Sequence, residues 1–227
     1  MTTESRWRRL FDAFREIRAS DGDVHAGIRF FDAMTAILGR GEAKMIQLMA
    51  STEHGRKTLA SGDSLLPALT DRDRLRSLPD GTLGREYIRF ADEREIYPEQ
   101  FEALLMEALG RSRIDSELDD PEAQLVIQRY RHLHDVWHVV LGYDTDPDGE
   151  MGILACAGRQ NGYRAHYLSA FVQALRPVFG GDTHRLRVFL AGWRRAKRIG
   201  TLISRDWVAL LEEPLDRVRQ ELHVGVA

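Results

Sequence analysis

Two imidazoles and two carboxylates crowd into seventeen residues of this chain: His134, Asp135, His138 and Glu150. On a helix, His134 and His138 stand one turn apart on the same face. Asp135 projects about 100° around from His134, at the edge of that face. Two imidazoles plus a carboxylate suit zinc or a similar divalent ion with one position left open. Asp135 could be a fourth ligand or could orient a histidine from behind. An ion held there could bind a substrate oxygen and stabilise charge building on it. Either carboxylate, Asp135 or Glu150, can instead serve as a base.

These side chains meet only if two helices fold back on each other. Residues 120–142 read as the clearest helix, with Asp120 as N-cap, Pro121 at the first helical position and Gly142 as the stop. Residues 143–149 form a polar turn, and a further helical segment is expected from about 150 to 175, with Gly158 and Gly162 as weak points. Helices joined by such a turn usually pack antiparallel, which returns Glu150 to roughly the level of His138.

Apolar residues recur at three- and four-residue spacing through most of the remaining chain, beginning with Trp7, Leu10, Phe11, Phe14 and Ile17. Further helices are expected over 28–38, around 45–49, over 84–95, after Pro98, and over 183–199, 204–213 and 214–222. Residues 61–83, punctuated by Gly62, Pro67, Pro79 and Gly81, read as turn-rich. The expected fold is all-α: one multi-helix bundle over 1–227, with an αα-hairpin carrying the motif.

Other motifs compete with the metal reading. Asp144, Asp146, Asp148 and Gly149 look like the start of a calcium loop, but its twelfth position is Ala155. The HDxxH order is one methylene short of the zinc-protease HExxH. Metal phosphohydrolases need ligands well upstream and downstream, and no matching pair stands out. His132 is expected at the surface, and His25, His54, His166, His184 and His223 receive no role. The run Arg194-Arg195-Ala196-Lys197-Arg198 reads as a solvated face, or as an interfacial helix meeting anionic headgroups or a ligand phosphate.

A net charge of −3 gives no general attraction to nucleic acid, and no nucleic-acid partner is expected. Hydrophobic residues make up 43% of the chain, enough to bury a core. The single cysteine, Cys156, lies in an apolar stretch and reads as a core residue. Met1 to Trp7 carry no signal-peptide pattern, and Glu4, Asp12 and Glu16 argue against a transit peptide. The expectation is a cytoplasmic protein, peripheral to the inner face of a bacterial membrane. No glycine-rich nucleotide fingerprint is present, so no NAD or flavin is indicated.

The run from Val126 to His138 resembles the signature of the coenzyme Q (ubiquinone) biosynthesis family called COQ-four, which carries H-D-x-x-H, eleven residues, then E. Leu78 to Arg85 is similar to that family's upstream L-P-x-x-T/S-x-G segment. Gly149-Glu150 with Gln160, and Asp206-Trp207 with Pro214 to Leu222, are similar to its later segments. The resemblance covers about residues 25–223. Chain positions depart near Ala196, where the family often has glycine, near Leu141, where it has threonine, and in the more acidic loop from Asp144 to Asp148.

The resemblance implies an all-α fold, often dimeric and associated with a membrane surface. It implies a divalent metal, most often described as zinc, at His134, Asp135, His138 and Glu150, and an apolar channel for a polyprenyl tail. The implied activity is oxidative decarboxylation and hydroxylation at ring carbon one of a polyprenyl hydroxybenzoate. The implied partners are the prenylated quinone precursor, other quinone-biosynthesis enzymes and a second copy in a homodimer. A non-catalytic scaffold that binds prenyl lipid and organises those enzymes is the alternative.

Overall fold

The computed structural model describes residues 3–19, 23–110 and 120–225. Among the described residues there are fourteen α-helices and no strand; an isolated bridge joins Thr82 to Pro214. The helices are α1 (Thr3–Ala19), α2 (Val24–Leu38), α3 (Glu42–Ala50), α4 (Glu53–Ser61), α5 (Leu65–Thr70), α6 (Arg72–Ser77) and α7 (Leu83–Arg94). They continue as α8 (Pro98–Leu109), α9 (Pro121–Leu141), α10 (Pro147–Asn161), α11 (Arg164–Leu175), α12 (His184–Arg198), α13 (Trp207–Leu210) and α14 (Leu215–Glu221). The all-α expectation holds.

The longest helix, α9, starts and stops as its sequence predicts. The Asp120 carboxylate accepts from the Glu122 N–H at 3.0 Å, and Pro121 sits where a missing N–H costs nothing. Gly142 takes a left-handed conformation, φ 73°, which a side chain would resist. Between these ends, Val126, Tyr130, Leu133, Trp137, Val140 and Leu141 are buried in the main core. They pack with Met45 and Met49 of α3, Leu83 and Tyr87 of α7, and Trp207 of α13.

Three expectations are corrected. The stretch 61–83 is not mainly turn: it contains α5 and α6, whose Leu65, Leu69 and Leu75 are buried. Six-residue helices are too short to display a 3.6-residue period. The helix expected over 150–175 is two helices, α10 and α11, broken at Gly162, where φ is 75°. Gly158 stays helical and packs against the His166 Cβ. Of the helix expected over 204–213, only Trp207–Leu210 is helical.

Buried charge ties the chain's far end to α9. Arg129 is 1% exposed. Its Nη1 donates to both Asp63 carboxylate oxygens at 2.8 and 2.7 Å, and its Nε donates to the Ile203 carbonyl at 2.7 Å. Its Nη2 donates to the Arg205 carbonyl. Removing one member of such a pair leaves the other, with little access to water, without its partner. Arg129→Met is expected to destabilise the fold by about 3 kcal/mol in chemical denaturation. A loss near zero would mean that Asp63 simply hydrates.

Candidate metal centre

α9 sets His134 and His138 one turn apart, with ring centroids 4.9 Å from each other. The turn after Gly142 is short because Asp146 caps α10: its carboxylate accepts from the Gly149 N–H at 2.6 Å, and Pro147 opens the helix. Glu150 therefore lies within the first turn of α10, three residues past its start. There the helix N-terminus favours a negative charge. The side chain faces α9. Glu150 Oε2 is 3.4 Å from His134 Nε2, and Oε1 is 3.3 Å from His138 Nε2.

Among the described residues, His134, His138 and Glu150 form the one cluster able to offer a metal three ligand atoms, all within 4.8 Å of one another. Asp135 stands outside it. Its Oδ1 lies 3.1 Å from His134 Nδ1, on the ring edge away from Glu150. That places it to hold the imidazole in orientation, as carboxylates commonly do behind a metal-binding histidine.

His138 is fully buried. Its Nδ1 lies 3.2 Å from the Tyr143 carbonyl oxygen, which can only accept, so Nδ1 carries the proton. In the neutral imidazole, Nε2 is then a bare lone pair. It has no hydrogen-bond partner, although a carboxylate oxygen lies 3.3 Å away. A lone pair facing an anion in a buried site is unfavourable, and a cation between them removes the conflict. The donor set of two imidazoles and one carboxylate fits zinc or a similar ion.

Charge at the site follows the same contacts. Burial pulls the His134 pKa down, but hydrogen bonds to Asp135 and Glu150 outweigh it and lift the value to about 10. Burial pushes the Glu150 pKa up, yet the hydrogen bond from His134 holds it well below the usual carboxylate range.

Elsewhere the sequence-based assignments fare differently. The acids of the calcium-like loop do not converge. Asp144 accepts from Arg94 at 3.0 and 2.9 Å, Asp146 caps α10, and Asp148 accepts from Arg185 at 3.0 Å. Ala155, at the loop's twelfth position, is buried. His132 is not a surface residue: its side chain is only 10% exposed and lies 3.7 Å from Glu102. His166, given no role, packs beside the site's helix, with Nδ1 3.0 Å from the Tyr130 hydroxyl and its ring stacked on Tyr163. Burial lowers its pKa to about 3. Sequence reasoning also missed Tyr143, which sets the proton on His138; its only signal is its place directly after a helix-stopping glycine.

The model of the family described as "Coenzyme Q (ubiquinone) biosynthesis protein Coq4" matches residues 31–227. The chain belongs to the Coq4 family. It is 29% identical over 201 residues to the mitochondrial ubiquinone biosynthesis protein COQ4 homolog of Danio rerio, covering 84% of this chain and 69% of that one. It is likewise 29% identical over 203 residues to the mitochondrial coq4 protein of Schizosaccharomyces japonicus, covering 86% and 80%. Against the Candida tropicalis relative it spans only 53% of the longer chain. A crystal structure from Nostoc punctiforme PCC 73102 superposes with a TM-score of 0.68 at 20% identity, covering 96% of this chain and 98% of that one, which shows a shared fold. No helix among the described residues is long and apolar enough to cross a membrane.

The His134 and Glu150 charges predict how a metal would bind. With a pKa of about 10, His134 is protonated at neutral pH, whereas Glu150 is already ionised. Metal uptake at pH 7 is expected to expel about one proton, and affinity to rise about tenfold per pH unit until His134 loses its proton unaided. Calorimetry in buffers of different ionisation enthalpy measures this. Uptake without proton release would mean that His134 is not a ligand.

Proposed function

We propose that this chain acts in ubiquinone biosynthesis as a metal-dependent enzyme, replacing the carboxylate on ring carbon one of a polyprenyl hydroxybenzoate by a hydroxyl. The observation that carries the reading is the unpaired, sealed Nε2 of His138, aimed with His134 at a shared carboxylate. Membership of the Coq4 family supports the pathway. The reaction releases carbon dioxide and oxidises the ring by two electrons, so it needs dioxygen, or water with a separate electron acceptor.

His134, His138 and Glu150 would hold the ion, zinc being the best match to the donor set. A divalent ion there supplies Lewis acidity toward the substrate's carboxylate or hydroxyl. His134 and Glu150 are partly exposed, at 26% and 37%, so a ligand would approach from their side rather than past the buried His138. Glu150 has a second carboxylate oxygen able to take a proton from a substrate hydroxyl. Asp135 keeps the His134 ring oriented and balances its charge.

A second reading, a scaffold on a lipid surface, has its own observation. Arg187, Ala191, Arg194, Lys197 and Arg198 share an exposed face of α12, while Trp7 and Phe11 on α1 are 48% and 66% exposed. The basic face of α12 suits anionic headgroups, and exposed aromatic side chains such as those of α1 suit a lipid surface. Partner enzymes of the same pathway would gather there.

The readings separate in one experiment. His134→Ala and Glu150→Gln are expected to lose bound metal, measured by elemental analysis, together with formation of the decarboxylated, hydroxylated product. Charge reversal at Arg194 and Lys197 is expected to reduce liposome flotation while metal content stays intact. Full product formation in a metal-free His134→Ala protein would sink the enzyme reading and leave the scaffold.

A further inference from the structure

The proton arrangement on His138 is enforced from a distance. α10 and α12 cross at two glycines: a methyl placed on Gly192 would stand 2.5 Å from the Gly152 carbonyl oxygen. Contact this close carries Arg195, one turn beyond Gly192, to the end of α9. Its Nη1 donates to the Leu141 carbonyl at 2.8 Å, and its guanidinium lies over the Tyr143 ring, 5.0 Å from the centroid. The same ring also rests on Gly152, where an added methyl would meet Tyr143 Cε1 at 2.5 Å. Arg194, Lys197 and Arg198 of the same basic run are exposed, so Arg195 is the member turned inward.

Tyr143 is thus pinned at three places. Its ring touches both Gly152 and Arg195. Its N–H donates to the His138 carbonyl at 3.1 Å, closing the Schellman turn at Gly142. Its carbonyl receives the proton of His138 Nδ1 at 3.2 Å. Were this carbonyl to turn away, the imidazole could move its proton to Nε2 and donate to Glu150 instead. That tautomer has no lone pair to offer a cation.

We infer that Arg195 and Gly152 are positioning residues for the metal centre, clamping Tyr143 so that its carbonyl fixes His138 with the proton on Nδ1 and a bare Nε2. The inference rests on the metal reading above for its consequence, but the tautomer itself belongs to the metal-free protein. Arg219 supports the same helix end by donating to the Val139 and Val140 carbonyls at 2.9 and 3.0 Å.

The test uses the full-length, metal-free protein with nitrogen-15-labelled histidine. The His138 signals are assigned by their loss in His138→Gln. The wild type is expected to show a protonated Nδ1 and an unprotonated Nε2. Arg195→Met and Gly152→Ala are expected to give a mixture of tautomers, with zinc affinity reduced roughly tenfold to a hundredfold. Arg217→Met, on an exposed side chain paired with Glu213 and Glu221, controls for loss of a surface arginine and is expected to change neither signal.

Melting temperature is followed alongside, because a purely structural role would lower it without moving the imidazole signals. A wild-type proton on Nε2, or unaltered tautomer and affinity in both variants, overturns the inference. If the wild type takes up no zinc, the metal reading fails by itself, and the nitrogen signals still decide whether the clamp acts on His138.

Discussion

The centre depends on how α9 ends. A helix leaves its last four carbonyls without partners inside it, and here every one is claimed from outside. The His138 carbonyl accepts the N–H groups of Gly142 and Tyr143. Those of Val139, Val140 and Leu141 accept from Arg219 and Arg195. The left-handed Gly142 makes this termination abrupt. These bonds hold the end of α9 that carries His138, and because the turn is short, α10 begins where Glu150 reaches both histidines.

The centre also sorts its carboxylates by position. Glu150 lies between two imidazoles at the start of α10, and Asp135 sits behind one of them. Asp144 and Asp148, a few residues away, are neutralised by Arg94 and Arg185. The excess negative charge of the turn therefore does not compete for a cation with the histidine site. Phe90 stacks on the outer face of His138, and Arg94 covers Phe90 in turn, which keeps water from that imidazole.

What the sequence made legible was short-range. The helix period, the Asp120 cap and Gly142 located α9, and the spacing from His134 to Glu150 needed only one turn between two helices to become a cluster. What it concealed depends on long separations. Leu141 and Arg195 are 54 residues apart, and Val140 and Arg219 are 79 apart. No periodicity distinguishes Arg195 from its basic neighbours, because burial is decided by the crossing of α10 and α12. Gly158 and Gly162 look equivalent in sequence. Only the fold shows that Gly162 bends the backbone to lie against Gly41, whereas Gly158 makes room for His166.

The meeting of Gly152 with Gly192 gives this architecture an uneven tolerance to its surroundings. Ion pairs weaken as salt rises and dissolve when their acids are titrated. Two backbones in van der Waals contact respond to neither. The interior register of α12 is thereby decoupled from the ionic medium that bathes its outer arginines, so one helix can meet a changing, charged exterior and still present an unchanging surface inward.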